Sequence, residues 1–443
     1  MASAPREQWS SRTGFVLAAV GSAVGLGNMW RFSYLTAENG GAAFVIFYLA
    51  VTLLVGLPVL LAELVVGRGA QASPIRALAH FGGARWRPLG AVFVAAGFLI
   101  LSYYGVIAGW TVRYALACMT SGFDPEAVAR FGEVSSGWDA FGFHVLFMAG
   151  TVGIVAGGVK AGIERTALVL MPTLFALVIG LAVYAATLEG AGPGYGYYLS
   201  ADFSKLFSLS VLKDAAGQAF FSLSLGMGAM LTFASYLGRD QNLPNESVII
   251  AGADVAVAFT AGLVVFPLIF ALGLQQEVGG STVGALFITM PQAFAGMGGV
   301  GRVVGLVFFA ALVVGALTSA ISLLEVVVSS AMDSLGWSRR RAALIAGAAV
   351  TLLGAPSAAS VEVLGVIDGI ANNLFLLGGG LALSLFVGWG MADPIAEVER
   401  GTRGVRWFFL WRQLLRFAVP AFLLFVLANA IPETLDSVAA LLQ

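Results

Sequence analysis

The residues with the clearest capacity for chemistry lie near the N-terminus, at positions 21–28, which read GSAVGLGN and precede Met29, Trp30 and Arg31. Within eleven positions this stretch carries three glycines, a serine, an asparagine and a full positive charge, yet it lies in an apolar segment long enough to cross a bilayer. Backbone N–H and C=O groups freed at membrane depth cost several kcal/mol each unless they line a cavity or hold a ligand. The stretch therefore predicts a binding site built from an interrupted helix.

A second interruption of the same kind is expected at residues 222–228, which read SLSLGMG. It lies at the corresponding place in the second half of the chain. Two interrupted membrane spans at matching places indicate the central binding site of a transporter.

The composition is that of a polytopic membrane protein. With 59% apolar residues, 11% charged residues and a mean hydropathy of +0.92, the chain is too hydrophobic for a soluble protein of 443 residues. The net charge of −1 gives no indication of nucleic-acid binding, and the one cysteine, Cys118, has no partner for an internal disulfide. No arrangement typical of an enzyme active site is present.

Eleven apolar segments are long enough to span a bilayer and define an all-α fold. The spans are expected at 13–37 (broken), 42–67, 88–118, 141–158, 166–187, 213–238 (broken), 247–274, 301–332, 340–354, 362–389 and 408–431. A short helix is expected at 73–81, and residues 275–299 are expected to fold as a hairpin over the surface. The first eleven residues lack the features of a signal peptide, so we expect them to be retained.

Most of the 23 Lys and Arg residues fall on the side of the N-terminus. The positive-inside bias predicts a cytoplasmic N-terminus and, with an odd number of spans, an extracytoplasmic C-terminus in a bacterial inner (plasma) membrane. Spans 1–5 and 6–10 then have opposite orientations, as in the inverted five-plus-five repeat of an alternating-access carrier. The expected division is a cytoplasmic segment 1–12, a first repeat 13–187, an extracellular connection 188–212, a second repeat 213–390, and span 11 with the C-terminus at 391–443.

Five segments of the chain carry a resemblance to a known family. They are REQW (6–9), GSAVGLGNMWRF (21–32), ENGGAAF (38–44), GQAFFSLSLGMGAMLTFASY (217–236) and GALTSAIS (315–322). With them the chain resembles the bacterial branch of the neurotransmitter:sodium symporter family, including its eleven-span transporters of hydrophobic amino acids. The resemblance covers nearly the whole chain and implies two sodium ions and no organic cofactor.

One sodium site implied by the resemblance uses the backbone carbonyls of Gly21, Val24 and Gly315 with the hydroxyls of Thr318 and Ser319. Sodium prefers several oxygen ligands, and a broken helix offers carbonyls at the end of its first half. Positions 315, 318 and 319 share one face of a helix. The alternative is that these small and hydroxyl residues only allow close helix packing in the membrane.

The second sodium site implied by the resemblance uses the Ala23 carbonyl, the side chains of Asn28, Ser222 and Asp254, and the carboxylate of the substrate. Asp254 lies in an apolar span, where a carboxylate is expensive unless it meets a cation. The alternative is that Asp254 is hydrogen-bonded only to Ser222 or to neighbouring backbone.

Asp254 also leads to the expectation that transport does not require chloride. In the chloride-dependent animal relatives this place resembles an asparagine, with a serine one turn later that helps to hold the anion near Tyr48. Here the serine position is Ala258. A fixed carboxylate would supply the negative charge that chloride otherwise brings.

The substrate carboxylate is expected at the backbone N–H groups of Leu26 and Gly27, where the second half of span 1 begins with the positive end of its dipole. Tyr104 would add a hydroxyl, although a buried tyrosine is otherwise more often a core residue. The full set of expected substrate-binding residues is Ser22, Ala23, Leu26, Gly27, Ile100, Tyr104, Phe221, Ser222, Ser224, Met227, Ser319 and Leu323. Most of this set is apolar, which suits a hydrophobic side chain.

Two charged pairs are expected to gate the pocket, since charges within spans tend to mark pathways or pairs. Arg31 with Asp368 would close the outer side over Tyr104 and Phe221. On the cytoplasmic side the gate would be Arg6 with Asp333, near Trp9 and Tyr236. For Arg6, a plain topology signal is the alternative.

The sequence therefore predicts a sodium-coupled symporter of a neutral hydrophobic or aromatic L-amino acid, embedded in a lipid bilayer and without a nucleic-acid partner. A sodium-dependent amino-acid sensor without net transport, or a channel-like leak, is the alternative from a different class. Oligomeric state and exact substrate stay open.

Overall fold

The computed structural model describes residues 6–123, 127–205, 208–274, 285–402 and 407–441. These residues are predominantly helical, and nine continuous helices among them are long and apolar enough to cross a membrane. They are span 2 (Ala42–Ala70), span 3 (Ala84–Met119), span 4 (Gly137–Ala156), span 5 (Val159–Ala186), span 7 (Leu243–Ala271), span 8 (Gly298–Leu335), span 9 (Arg339–Ala359), span 10 (Val361–Gly390) and span 11 (Phe408–Leu441).

Span 1 is a tenth, broken span. Its halves, Arg12–Ala23 and Gly27–Glu38, meet at an angle of 56°. The first half begins where the Ser11 hydroxyl accepts a hydrogen bond from the Gly14 N–H at 3.0 Å, which satisfies a free donor at the helix N-terminus. It ends at Val24, whose extended backbone (ψ 106°) turns the chain out of the helix.

Span 6 is the second broken span; without it, the described residues contain up to ten spans that are long and apolar enough to cross a membrane. Its halves are Leu209–Ser222 and Ala229–Ala234. Between them Gly226 and Gly228 have φ of +76° and +72°, which glycine adopts without strain. Ser224 has φ +54°, an unfavourable value for a residue with a side chain. Its hydroxyl donates to the Ser22 carbonyl at 2.7 Å and so joins the two breaks.

The connections contain more helix than the sequence analysis predicted. The short helix after span 2 is confirmed at Pro74–Gly82, and additional helices lie at Ala127–Ser135, Gly192–Leu199 and Met290–Gly296. Part of the expected hairpin, residues 275–284, lies outside the described residues.

Helix Gly192–Leu199 shows why such an element escapes sequence reasoning. Its sequence, GPGYGYYL, has no helical periodicity, and its stability comes from packing. The Tyr198 ring stacks on Phe266 at 4.9 Å, and its hydroxyl donates to the Phe259 carbonyl at 3.1 Å. A Cβ at Gly262 would come within 2.3 Å of this ring, so the glycine admits it.

Spans 3 and 8 are largely buried and pack against each other at the centre of the molecule. Span 1 packs against spans 5, 7 and 8. A Cβ at Gly21 would lie 2.9 Å from the Met171 sulfur and 3.0 Å from the Thr318 Cβ, so glycine permits this close approach. The packing places the two breaks against the middle of spans 3 and 8.

Two carboxylates fix the segment before span 1 to span 5. Glu164 accepts hydrogen bonds from the backbone N–H and the hydroxyl of both Ser10 and Ser11, at 2.7 to 3.1 Å. Glu7 accepts from the N–H groups of Val159 and Lys160 at 3.0 and 3.1 Å, at the N-terminus of the span 5 helix. We call the side of the molecule where the N-terminal segment contacts the start of span 5 the N-terminal face.

Candidate functional site

A cavity lies between the two breaks and spans 3 and 8. Its lining residues are Ser22, Ala23, Gly25, Gly27, Asn28, Ile100, Tyr104, Phe221, Ser222, Ser224, Met227, Ser319 and Leu323. Every residue predicted to bind substrate is among them except Leu26. The structure thus brings together side chains that are about 300 positions apart in the sequence.

Gly25 was not predicted as a cavity residue. A Cβ there would lie 2.5 Å from the Ser319 hydroxyl oxygen and 2.9 Å from the Tyr104 hydroxyl oxygen. Only glycine therefore lets these two hydroxyls reach the break in span 1. The available signal was the repeated glycine in GSAVGLGN, which marked the break but not this contact.

Leu26 contributes through its backbone. Its side chain is fully buried, and its N–H points to the Tyr104 hydroxyl oxygen at 3.4 Å. The phenol of Tyr104 and the start of the second half of span 1 therefore meet at one end of the cavity. An N–H donor, a hydroxyl and a helix N-terminus together suit a carboxylate.

Asp254 lies at the centre of a buried polar cluster. Its two carboxylate oxygens lie 2.7 and 2.8 Å from the Ser222 hydroxyl, and one of them accepts from the Tyr48 hydroxyl at 3.2 Å. The Asn28 amide nitrogen donates to Asp254 Oδ1 at 2.6 Å and to Ser222 Oγ at 3.0 Å. Spans 1, 2, 6 and 7 each contribute one side chain to this cluster. The geometry that a bound ligand meets therefore depends on how the four helices are packed.

The donor set of this cluster fits a monovalent hard cation. It offers one carboxylate together with neutral amide, hydroxyl and carbonyl oxygens. Nowhere in the described ranges do three or more His, Cys, Asp or Glu side chains form a group that could hold a metal ion. As it stands, Asn28 turns its nitrogen to Asp254 while its oxygen accepts from the Gly25 N–H at 2.9 Å. The Asn28 oxygen keeps a second lone pair that could ligate a cation.

The residues predicted for the other sodium site also lie together. The Ser319 hydroxyl is 3.2 Å from the Ser22 carbonyl oxygen and 3.4 Å from that of Gly21. A Cβ at Gly315 would lie 3.5 Å from the Gly25 Cα and 3.7 Å from the Val24 carbonyl oxygen. The structure therefore places the hydroxyl-bearing face of span 8 directly against the carbonyls that leave the first half of span 1.

Thr318 completes this face of span 8. Its hydroxyl donates to the carbonyls of Gly315 and Val314 in its own helix, at 3.0 and 3.2 Å. Its oxygen keeps lone pairs for a further ligand.

Glu63 holds the break in span 6 from the side of span 2. Its carboxylate accepts hydrogen bonds from the N–H groups of Gly226 at 2.8 Å and Leu231 at 3.1 Å. These donors would otherwise be unpaired at membrane depth. Glu63 thus stabilises the non-helical backbone that presents Ser224 and Met227 to the cavity.

The charged pair on the N-terminal face is formed. Arg6 lies 2.8 Å from an Asp333 carboxylate oxygen, and its guanidinium stacks 4.6 Å from the centre of the Tyr236 ring. The Trp9 indole N–H donates to the Phe233 carbonyl at 2.9 Å, which packs the segment before span 1 onto span 6. These contacts join the N-terminal segment to spans 6 and 8 beneath the cavity.

The charged pair on the opposite face is apart. Both Arg31 and Asp368 belong to the described residues, and no ion pair joins them; Arg31 Nη1 is buried without a hydrogen-bond partner. The Arg31 guanidinium instead lies 5.4 Å from the centre of the Phe221 ring, and Asp368 accepts from the Asn372 amide at 2.6 Å. This conformation therefore combines a formed pair on the N-terminal face with a separated pair on the other.

The chain is similar to several known proteins over nearly its whole length. The sequence model of the sodium:neurotransmitter symporter family matches residues 6–127 and 141–438. The chain is 35% identical to YhdH of Bacillus subtilis, named an uncharacterized sodium-dependent transporter, over 96% of this chain and 97% of that protein. It is 27% identical to the sodium-dependent serotonin transporter of Drosophila melanogaster, over 95% and 75% of the two chains.

Among solved structures, the chain resembles that of MhsT in complex with L-phenylalanine. The TM-score is 0.88 at 44% sequence identity, and the match covers 96% of this chain and all of that one.

Proposed function

We propose that this chain, which belongs to the sodium:neurotransmitter symporter family, takes up a neutral hydrophobic or aromatic L-amino acid together with sodium by alternating access. That it is a polytopic membrane transporter and not an enzyme follows from the family. The observation that supports the substrate class is the two-ended cavity between the broken spans.

The two ends of the cavity differ in chemistry. At one end lie the Leu26 N–H, the Tyr104 hydroxyl and the Asp254 cluster. The remaining wall is formed by the side chains of Ile100, Phe221, Met227 and Leu323. A molecule with a charged α-carboxylate and an apolar side chain suits both ends. The complex of the related MhsT with L-phenylalanine supports the same substrate class.

Sodium coupling would arise because the oxygen ligands of each sodium site come from different helices. The Gly315, Thr318 and Ser319 face connects span 8 to span 1, whereas Asn28, Ser222 and Asp254 connect spans 1, 6 and 7. Bound sodium would supply positive charge between these helices and next to the substrate carboxylate. Residues from both repeats are thereby held in one arrangement only when cation and substrate are both present.

The two charged pairs would alternate during transport. We place the N-terminal face in the bacterial cytoplasm, on the positive-inside argument, and the C-terminus outside. The ion pair between Arg6 and Asp333 would then close the path to the cytoplasm. The outer path would be open, because Arg31 and Asp368 are not paired.

Uptake into proteoliposomes tests this proposal. With an inward sodium gradient, we expect labelled phenylalanine or leucine to accumulate above the external concentration, and the accumulated label to leave when a sodium ionophore is added. A sensor would bind these amino acids without accumulation, and a channel would only equilibrate them. Either result would overturn the assignment as a symporter.

Met227 is expected to set the tolerance for bulky side chains. It lines the cavity, and its neighbours in the chain are Gly226 and Gly228. Its unbranched thioether can move aside for a large ring. Met227→Phe would overfill this wall, which typically costs about 1–3 kcal/mol, so we expect the affinity for tryptophan to fall about tenfold or more and that for leucine much less. Competition binding measures both.

Met290→Phe is a matched control for this substitution. Met290 is buried but does not line the cavity, so the same change there should leave the ratio of the two affinities unaltered. Equal losses for tryptophan and leucine in Met227→Phe would contradict the role of Met227.

A further inference from the structure

Two arginines at the start of span 11 share one oxygen at the end of span 10. The Nε atoms of Arg416 and Arg412 donate to the Gly388 carbonyl at 2.7 and 3.4 Å. Gly388 lies in the last turn of span 10, where carbonyls lack partners within the helix. A Cβ at Gly388 would lie 3.0 Å from the Arg416 side chain, so the glycine permits the approach. We call Arg412 and Arg416 the arginine pair.

No ion pair with a described residue neutralises the positive charge of the arginine pair. Neither residue forms an ion pair or a hydrogen bond through its Nη groups with any other described residue. Asp393, whose charge acts on Arg412 without an ion pair between them, accepts a hydrogen bond from the Ala396 N–H at 3.1 Å. Two like charges on one carbonyl repel each other, and a bound anion would relieve that repulsion.

One member of the arginine pair, Arg416, packs against Trp389. The Arg416 guanidinium lies 5.0 Å from the centre of the indole ring, and the indole N–H donates to the Arg416 carbonyl at 3.3 Å. Trp389 is itself 58% exposed. An exposed tryptophan at the end of a membrane span is typical of the level of the lipid headgroups.

The surroundings indicate a lipid rather than a soluble anion. Phe409, Leu410 and Phe417 lie on the same helix and are each more than half exposed, as expected for side chains that contact acyl chains. Next to Trp389, the Trp86 ring packs on Phe386 at 4.7 Å and brings the start of span 3 to this place. The two residues that flank Trp86, Arg85 and Arg87, are exposed and form no ion pair in the described part of the chain.

We propose that the arginine pair, with Trp389, binds the phosphate headgroup of an anionic phospholipid in the leaflet on the N-terminal face. The Nη groups donate to the phosphate, the indole lies beside the glycerol, and the exposed side chains of span 11 contact the acyl chains. Basic pockets between membrane helices on the cytoplasmic side are suited to such headgroups. This site lies outside the substrate pathway.

Lipid titration of the purified full-length chain, followed by native mass spectrometry, tests the site. Wild-type protein should bind phosphatidylglycerol more tightly than phosphatidylcholine. Arg412→Gln with Arg416→Gln keeps a donor for Gly388 but removes both charges, and should weaken phosphatidylglycerol binding about thirtyfold, or about fivefold for each charge.

Arg340→Gln with Arg341→Gln is the matched control. It removes the same charge at the start of span 9, where Arg341 lies 5.0 Å from the Trp337 ring centre, and should change the affinity by less than about threefold. An equal loss in both double variants, or no preference for phosphatidylglycerol in the wild type, would overturn the proposal.

Two further measurements distinguish a lost binding site from a misfolded variant, and a lipid from a soluble anion. Arg412→Lys with Arg416→Lys retains the charge and should keep the preference for phosphatidylglycerol even if the glutamine variant does not fold. Inorganic phosphate and glycerol phosphate should fail to displace the lipid from wild-type protein. Displacement by either would show a site for soluble anions and refute the lipid assignment.

Discussion

Replacing Thr318 by Val and Ser319 by Ala together is expected to remove most of the sodium dependence of substrate binding. The Ser319 hydroxyl lies 3.4 and 3.2 Å from the carbonyl oxygens of Gly21 and Ser22, and the Thr318 side chain packs against Gly21 at the same end of the first half of span 1. Each interaction of a neutral polar group with an ion contributes about 1.5 kcal/mol or more, so losing two should raise the sodium Kd about a hundredfold. Ser319→Ala leaves the crowded contact with Gly25 unfilled, whereas a larger residue would clash there.

Sodium-dependent thermal stabilisation of the purified protein measures this effect, with choline in place of sodium as the reference. Thr111→Val with Ser384→Ala is the matched control, because these buried hydroxyls donate only to carbonyls of their own helices, at 2.7 and 2.8 Å. The control should keep the full sodium response. An unchanged sodium response in the Thr318 and Ser319 variant would show that this face of span 8 serves only helix packing.

Asp254→Asn is expected to abolish uptake or to make it dependent on chloride. Wild-type uptake should be equal in chloride and in gluconate, since Asp254 supplies a fixed negative charge beside Ser222, Asn28 and Tyr48. The neutral amide removes that charge, and an ion-binding site buried in the membrane then carries an uncompensated cation. Ala258 offers no hydroxyl for an anion, so loss of uptake is the expected outcome of the two.

Initial uptake rates in chloride and in gluconate, measured for the wild type and for Asp254→Asn, test this prediction. Asp139→Asn is the control, because Asp139 is a surface acid that is paired with Arg113 at 3.1 Å and does not line the cavity. It should behave as wild type. A wild type that stops in gluconate, or an Asp254→Asn variant with normal uptake in both salts, would refute the role of Asp254.

The sequence alone located both broken spans. Glycines that lower the stability of a helix, placed inside apolar segments, predict an interruption because neighbouring residues in the chain determine it locally. The prediction for span 6 at residues 222–228 agrees with the observed halves, which end at Ser222 and resume at Ala229. Segment length also indicates the approximate number of spans, since the bilayer fixes how many apolar residues a crossing needs.

The placement of the site residues depended on more than local pattern. Asn28, Ser222 and Asp254 lie far apart in the sequence, and the family resemblance, not their spacing, predicted that they meet. Their distances of 2.6 to 3.0 Å, and the amide orientation that turns the Asn28 nitrogen to the carboxylate, are properties of the packed helices. Gly25 illustrates the same limit. This position must lack a side chain because Ser319 and Tyr104, which lie on two other spans, approach it closely.

What only the tertiary structure decided is which partners each charge meets. Sequence placed Arg31 and Asp368 on one face and Arg6 and Asp333 on the other, but only the packed helices show the second pair formed and the first apart. The apolar segments determine that a helix crosses the bilayer, because burial of hydrocarbon is non-directional and depends on composition and length. Charged and polar contacts are directional and short-ranged, so they are fixed only when helices distant in the sequence pack together.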